Sequence, residues 1–232
     1  NYISMDILLL NPPFRGKFSR TSRSPAVTKG GTLYYPFWLA YATGVLEENG
    51  FNVKLIDAPA EGLSMDGVFQ KLGSWRPDMA VVDTSTPSIY EDVKSAGELK
   101  KRFPSSFICL VGTHPSALPE ETLKLSADID GVLVGEYDYT VLDLAKNLAK
   151  GGGLNSVLGL CFRSNKEIVR TPKRPLIENL DELPFVTRVY AKHLNTKSYF
   201  FAAANYPMVM IITGRGCPNR CFFCVYPQVL HG

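Results

Sequence analysis

The sequence predicts an α/β protein whose main body is a parallel sheet packed against helices. Across the first 150 residues, short β-branched or leucine-rich runs alternate with amphipathic stretches. Three consecutive glycines, Gly151-Gly152-Gly153, then end the alternation, because such a run holds no regular element cheaply. With 232 residues and 45% apolar composition, the chain has material for one full core and part of a second.

Strands are expected over 5–10, 53–57, 79–83, 107–111 and 131–134. Between the first two, Pro36 and Gly50 supply start and stop signals for a helix over 36–48. Residues 88–102 place Ile89, Val93, Ala96, Leu99 and Phe103 at three- and four-residue intervals, and Val141, Leu144, Ala145 and Leu148 repeat the device. Five strands with intervening helices point to a flavodoxin-like doubly wound sheet. Beyond the glycines, 157–170 reads as a small hairpin turning at Ser164-Asn165-Lys166, and 171–188 as a proline-punctuated crossing segment. Met208-Val209-Met210-Ile211-Ile212-Thr213 reads as a buried strand. The expected units are 1–150, a hairpin and linker over 151–198, and a further piece over 199–232.

Lysine and arginine total 25 against 22 acidic residues, and a net charge of +3 is too small to make nucleic acid the main partner. No apolar run approaches the roughly 20 residues of a membrane helix, and the N-terminus lacks a secretory pattern. A soluble cytoplasmic protein is expected. Five cysteines, three of them crowded near the C-terminus, are not a secreted disulfide framework. Cys109 and Cys161 lie in apolar runs and read as small buried hydrophobes.

The remaining three, Cys217, Cys221 and Cys224, have the spacing C-x3-C-x2-C in the stretch Gly214-Arg215-Gly216-Cys217-Pro218-Asn219-Arg220-Cys221-Phe222-Phe223-Cys224. Three thiolates on one loop can hold one corner of a cubane cluster and leave one iron open, whereas four cysteines close it. Structural zinc is the plainer alternative, but zinc wants four ligands and the nearest addition, His231, falls outside the usual spacings. The loop resembles the radical S-adenosylmethionine (SAM) signature, including an aromatic residue, Phe223, before the last cysteine. That resemblance implies a [4Fe-4S] cluster on Cys217, Cys221 and Cys224 whose open iron chelates SAM and releases a 5′-deoxyadenosyl radical.

In doubly wound sheets the ligand sits beyond the C-terminal ends of the strands. There the chain reads Asn11-Pro12-Pro13-Phe14, Thr84-Ser85-Thr86-Pro87, Gly112-Thr113-His114-Pro115-Ser116 and Gly135-Glu136. Small and hydroxyl residues at these ends suit a large planar ligand, and no phosphate-binding G-x-G-x-x-G is present. Thr84, Ser85 and Ser116 equally suit helix caps, His114 a turn before proline, and Gly112 and Gly135 tight turns. The pattern resembles the cobalamin-binding domain that precedes the radical SAM module in B12-dependent methyltransferases and in anaerobic magnesium-protoporphyrin IX monomethyl ester cyclase. Those relatives usually read G-G-x-H-P-T and G-E-G-E, whereas here Val111, Ser116 and Tyr137-Asp138 depart from the pattern. Residues 178–185 resemble the connector of the same family.

The resemblance implies cobalamin, SAM and a [4Fe-4S] cluster as cofactors. It makes residues 1–150 the cobalamin-binding domain and 199–232 the start of a radical SAM barrel that stops just past its cysteines, so catalytic inertness of this stretch is expected. The whole enzyme would transfer methyl groups to an unactivated carbon or oxidatively cyclise a tetrapyrrole. A standalone cobalamin carrier is the alternative. Arg15, Lys17, Arg20, Arg23 and Lys29, with no acidic residue from 7 to 46, form either a solvated loop or one that covers cobalamin or meets an anionic small-molecule substrate. Residues 199–230 are rich in apolar side chains and are expected to self-associate or fold back on the first domain.

Overall fold

The structure, a computed structural model, describes residues 5–21, 30–165, 167–219 and 221–224. Strands β1 (Asp6–Asn11), β2 (Asn52–Asp57), β3 (Met79–Thr84), β4 (Phe107–Gly112) and β5 (Gly131–Leu133) run parallel in the order β2-β1-β3-β4-β5. This is the flavodoxin-like order, and its winding reverses between β1 and β3, where a doubly wound sheet opens a crevice. The hairpin expected over 157–170 forms as β6 (Leu160–Ser164) and β7 (Glu167–Arg170). It does not stand apart: β6 pairs antiparallel with β5, which makes one seven-stranded sheet. Of its expected turn, Lys166 lies outside the described residues.

Among the described residues eight α-helices cover or flank the sheet: α1 (Phe37–Glu48), α2 (Ala58–Glu61), α3 (Met65–Leu72), α4 (Ile89–Arg102), α5 (Thr113–Ala117), α6 (Pro119–Lys124), α7 (Asp138–Ala149) and α8 (Val186–His193). Alternation along each strand divides the core in two. Ile7, Leu9, Val53, Leu55, Val81 and Val111 face α1, α7 and α8; Leu8, Leu10, Ile56, Val82, Ile108 and Leu110 face α3, α4 and α6. Each fully buried leucine or isoleucine in these layers contributes about 2 kcal/mol relative to exposure.

Helix α1 is the most enclosed, with Leu39 through Leu46 all buried. It runs so close to the connector that a Cβ at Gly44 would stand 2.5 Å from Pro184 Cγ. Helix α8, inside and just beyond the segment expected to be irregular, buries Val186, Val189 and Tyr190 on one face. The Tyr190 ring stacks on Tyr35, which also stacks on Tyr199, with ring centroids 4.3 and 3.8 Å apart. Tyr199 thereby brings the segment after α8 onto the core on the α1 face of the sheet.

The strand expected at 208–213 does not form. Met208, Met210 and Ile212 pack against the α1 face of the core, but Val209 and Ile211 are 55% and 58% exposed, so the run is buried on one side only. A strand needs a neighbouring backbone to complete its ladder. In its place the Tyr35 hydroxyl donates to the Met208 carbonyl at 2.8 Å and the Tyr41 hydroxyl to that of Ile212 at 3.4 Å.

Candidate functional site

The C-terminal edge of the parallel sheet has two differently built halves. At β1–β3, the parallel register sets Asn11 beside Asp57, and Asn11 Nδ2 donates to Asp57 Oδ1 at 2.8 Å. The Tyr199 hydroxyl donates to Asp57 Oδ2, also at 2.8 Å. Arg20 reaches in from the loop after β1. Its Nη1 donates to Asn11 Oδ1 at 2.7 Å and to the Pro12 carbonyl at 2.8 Å, and its Nη2 to Asp92 Oδ1 at 2.5 Å. Neither Arg20 nor Asp92 exposes any side-chain surface. Ser88 donates to Asp92 Oδ2 at 2.6 Å, and the Ser85 and Ser88 hydroxyls lie 2.8 Å apart.

Asp83 completes this half. One of its oxygens accepts from the Thr84 N–H at 3.0 Å, and Oδ2 is buried with no hydrogen-bond partner among the described residues. Burial pushes the Asp57 carboxyl up to about 6, against the hydrogen bonds from Tyr199 and Asn11, and that of Asp83 up to about 7, against the downward pull of the Arg20 guanidinium. Burial also raises Asp92, again opposed by Arg20. One guanidinium thus serves three buried carboxyls, and near neutrality Asp83 holds its proton part of the time.

At β4–β5 the groups at the surface are neutral, and the charged side chains of Glu136, Asp138 and Arg215 are buried behind them in pairs. Thr84 Oγ1 donates to the Val111 carbonyl at 2.7 Å and clamps β3 to β4. Gly112 follows with φ +117, and a Cβ there would lie 2.1 Å from the Thr84 carbonyl oxygen, so the close approach of the two strand ends requires glycine. This brings Thr86 and His114 together, Oγ1 and Nδ1 lying 3.3 Å apart. Gly112, Thr113 and His114 are half-buried and Thr86 is exposed. Burial lowers the His114 pKa, which favours the neutral imidazole. Behind them the Gly135 N–H donates to Ser116 Oγ at 3.0 Å, tying β5 to α5. The result is a rim of neutral hydrogen-bonding groups at these strand ends.

The family described as the B12 binding domain matches residues 23–145. The chain belongs to the B12-binding domain family. Among its relatives, an uncharacterized methyltransferase of Pyrococcus horikoshii is 31% identical over 95% of this chain and 45% of its own length. The anaerobic magnesium-protoporphyrin IX monomethyl ester cyclase of Rubrivivax gelatinosus is 29% identical over 82% of this chain and 34% of its own length. The chain therefore spans less than half of either relative. Among solved structures, the radical SAM methyltransferase TsrM of Kitasatospora setae, with cobalamin and a [4Fe-4S] cluster bound, aligns with a TM-score of 0.60 at 18% identity, over 78% of this chain and 31% of that one. The cobalamin-dependent SAM radical enzyme OxsB, with aqua-cobalamin bound, gives 0.59 at 18% identity over 75% and 23%. At that identity the likeness establishes a shared fold alone, over about three quarters of this chain.

The B12-binding domain uses the residues singled out from its sequence unequally. Pro13, Thr86, Gly112, Thr113 and His114 lie at or near the surface of the edge, Pro115 is buried just behind them, and Pro12 lends its carbonyl to Arg20. Asn11, Thr84, Ser85 and Gly135 are occupied in internal bonds. Glu136 Oε2 accepts from the Ile177 N–H of the connector at 3.1 Å. Neither Thr84 nor Ser116 caps a helix: Thr84 joins the ends of β3 and β4, and Ser116, inside α5, holds the backbone just after β5. In the basic loop Arg15 and Lys17 are exposed, whereas Arg20 is a buried structural partner of Asp92 and not a cover for a ligand. Arg23 and Lys29 lie outside the described residues, as do Arg220 and His231.

The three cysteines are the right donors for an iron-sulfur cluster but do not converge: no group of three His, Cys, Asp or Glu that could hold a metal occurs among the described residues. Cys221, Phe222 and Phe223 are exposed, while Cys217 and Cys224 are half-buried. A loop of this kind takes its ligating shape with the metal and the surrounding domain, because ligand geometry and folding are coupled. Sequence reasoning passed over Asp57, Asp83, Asp92, Asp138 and Arg215. A carboxylate ending an apolar run, as in the strands closing on Asp57 and Asp83, was the available signal.

Proposed function

We propose that this chain holds cobalamin against the open β4–β5 half of its sheet edge, as the cofactor-binding part of a cobalamin-dependent radical SAM enzyme. Membership of the B12-binding domain family across 23–145 carries the reading, because it falls on the strands whose ends make the neutral rim. Gly112, Thr113, His114 and Thr86 would line the ligand, with Pro13 at the margin of the crevice, while the Arg20 network keeps the floor rigid. Cobalamin supplies a methyl-carrying metal. Cys217, Cys221 and Cys224 would hold a [4Fe-4S] cluster that cleaves SAM. Methyl transfer to an unactivated carbon is the activity proposed for the whole protein, in line with the methyltransferase relative. Oxidative cyclisation of a tetrapyrrole is the second reading, favoured by the cyclase relative. Exposed Arg15 and Lys17 near the edge suit an anionic small-molecule substrate. No described helix is long and apolar enough to cross a membrane.

The loop after β1, Asn11-Pro12-Pro13-Phe14-Arg15-Gly16, offers no histidine to the metal, and His114 is engaged with Thr86 at the rim. Cobalamin would on this reading take no imidazole from the loop after β1, and His114, whose Nδ1 faces Thr86, would stand at the rim and not on the metal. Hydroxocobalamin mixed with the chain should co-elute on gel filtration at one equivalent. After one-electron reduction, its paramagnetic resonance spectrum should be the same in a His114→Ala variant. Failure to retain cobalamin sinks the proposal, and nitrogen hyperfine splitting that disappears in the variant sinks the assignment of His114.

A further inference from the structure

One side chain joins the cysteine loop to the sheet edge. Arg215 stands two positions before Cys217, between Gly214 and Gly216, which are both exposed. Its own side chain is 5% exposed. The guanidinium donates from Nη1 and Nη2 to the two carboxylate oxygens of Asp138 at 2.7 and 3.2 Å, and Nη1 lies 3.7 Å from Glu136 Oε1. It also lies over the rings of Trp38 and Tyr41 on α1, 4.8 and 5.2 Å from their centroids. A two-pronged pair seated on two rings fixes orientation as well as distance. For packing alone, an apolar side chain of similar size would do as well, because burying charges carries a large desolvation cost.

The carboxylates at the other end belong to the cofactor edge. Glu136 directly follows Gly135 and Asp138 stands two positions further on; the Gly135 N–H is held by Ser116, three residues after Thr113 on the rim. Glu136 also holds the connector through the Ile177 N–H. The departure Tyr137-Asp138 from the usual Gly-Glu thus keeps a carboxylate where Arg215 needs one. The hydrogen bonds described within 216–224 are internal to the loop, Asn219 Nδ2 to Cys217 Sγ at 3.9 Å and the Cys224 N–H to the Cys221 carbonyl at 3.0 Å.

We propose that Arg215 is a positioning residue that holds the cysteine loop at a fixed place against the β4–β5 edge, setting the register between the group on the loop and the group on the rim. What those groups are rests on the function proposed above; the placement does not. The test is therefore made without cobalamin or iron. One nitroxide is attached to Cys217 in the chain carrying Cys221→Ser and Cys224→Ser, and another to Tyr90→Cys on α4, where the native tyrosine is 71% exposed. Cys109 and Cys161 are fully buried and burial raises both thiols, so they stay unlabelled.

Pulsed electron resonance should give one narrow distance distribution when Arg215 is present. Arg215→Gln should broaden it by about twofold or more, as should Glu136→Gln with Asp138→Asn, and Arg215→Lys should fall between. A distribution equally narrow in Arg215→Gln, or already broad with Arg215, overturns the proposal. Loss of the circular-dichroism signal in every variant also overturns it, by placing Arg215 in folding alone. A narrow distribution in a chain that fails to retain hydroxocobalamin leaves this proposal standing and sinks the proposed function.

Discussion

The two halves of the sheet edge use the same kind of strand end for opposite purposes. At β1–β3, Asn11, Asp57 and Asp83 turn inward and are gathered under Arg20, Asp92 and Tyr199, so most of the hydrogen-bonding capacity is spent inside the protein. At β4–β5, Gly112 removes the side chain that would separate the strands, and Thr86 and His114 are left at the surface. Position in a doubly wound sheet therefore marks where a ligand can sit, and the local state of the polar groups decides which part of that edge is available. The first half gives rigidity, and the second gives a surface.

The sharpest way to break the open half is Gly112→Ala. The added carbon meets the Thr84 carbonyl oxygen at 2.1 Å in a backbone conformation unfavourable to any other residue, and the displaced atoms are main chain. We expect a loss of about 4 kcal/mol or more in urea unfolding, together with loss of cobalamin retention. Wild-type stability in this variant would show that the strand ends separate freely.

On the closed half, Arg20→Met should cost about 3–4 kcal/mol, because it strands the buried Asp92 carboxylate beside Asp57 and Asp83. Restoration by the double variant Arg20→Met/Asp92→Leu, measured as a double-mutant cycle, would separate the pair's coupling from its packing. Should Arg20→Met be neutral, Arg20 would be free to serve a ligand after all.

The smallest expected effect has the opposite sign. Asp83 holds its proton to about pH 7 when folded, against an ordinary value of 3.8. Its contribution to stability is therefore full below the unfolded value and lost as pH rises through about 7. Asp83→Asn keeps an acceptor for the Thr84 N–H and should raise the thermal midpoint at pH 8 by about 2–4 °C, while flattening the decline between pH 4 and 7. An unchanged pH profile would mean that Asp83 is ionised throughout.

The patterning of the first 150 residues carried the five parallel strands, their order of appearance and two of the helices, with a third marked by Pro36 and Gly50, because run composition, three- to four-residue spacing and chain-breaking residues are local signals. The strand ends and the cysteine spacing were also readable, as chemical patterns that need no fold to be seen. The run 208–213 was misread as a buried strand because a continuous apolar run looks the same whether a neighbouring backbone or a pair of tyrosine hydroxyls takes up its carbonyls. Likewise Arg20, which sequence placed in a basic loop, is neutralised by Asp92, 72 residues away. Arg215 meets Asp138 across 77 residues. Sequence determined the elements and the donor types; only tertiary structure decided which polar groups are paired inside and which remain for a ligand, because that depends on partners distant in the chain and on the burial that sets their charge.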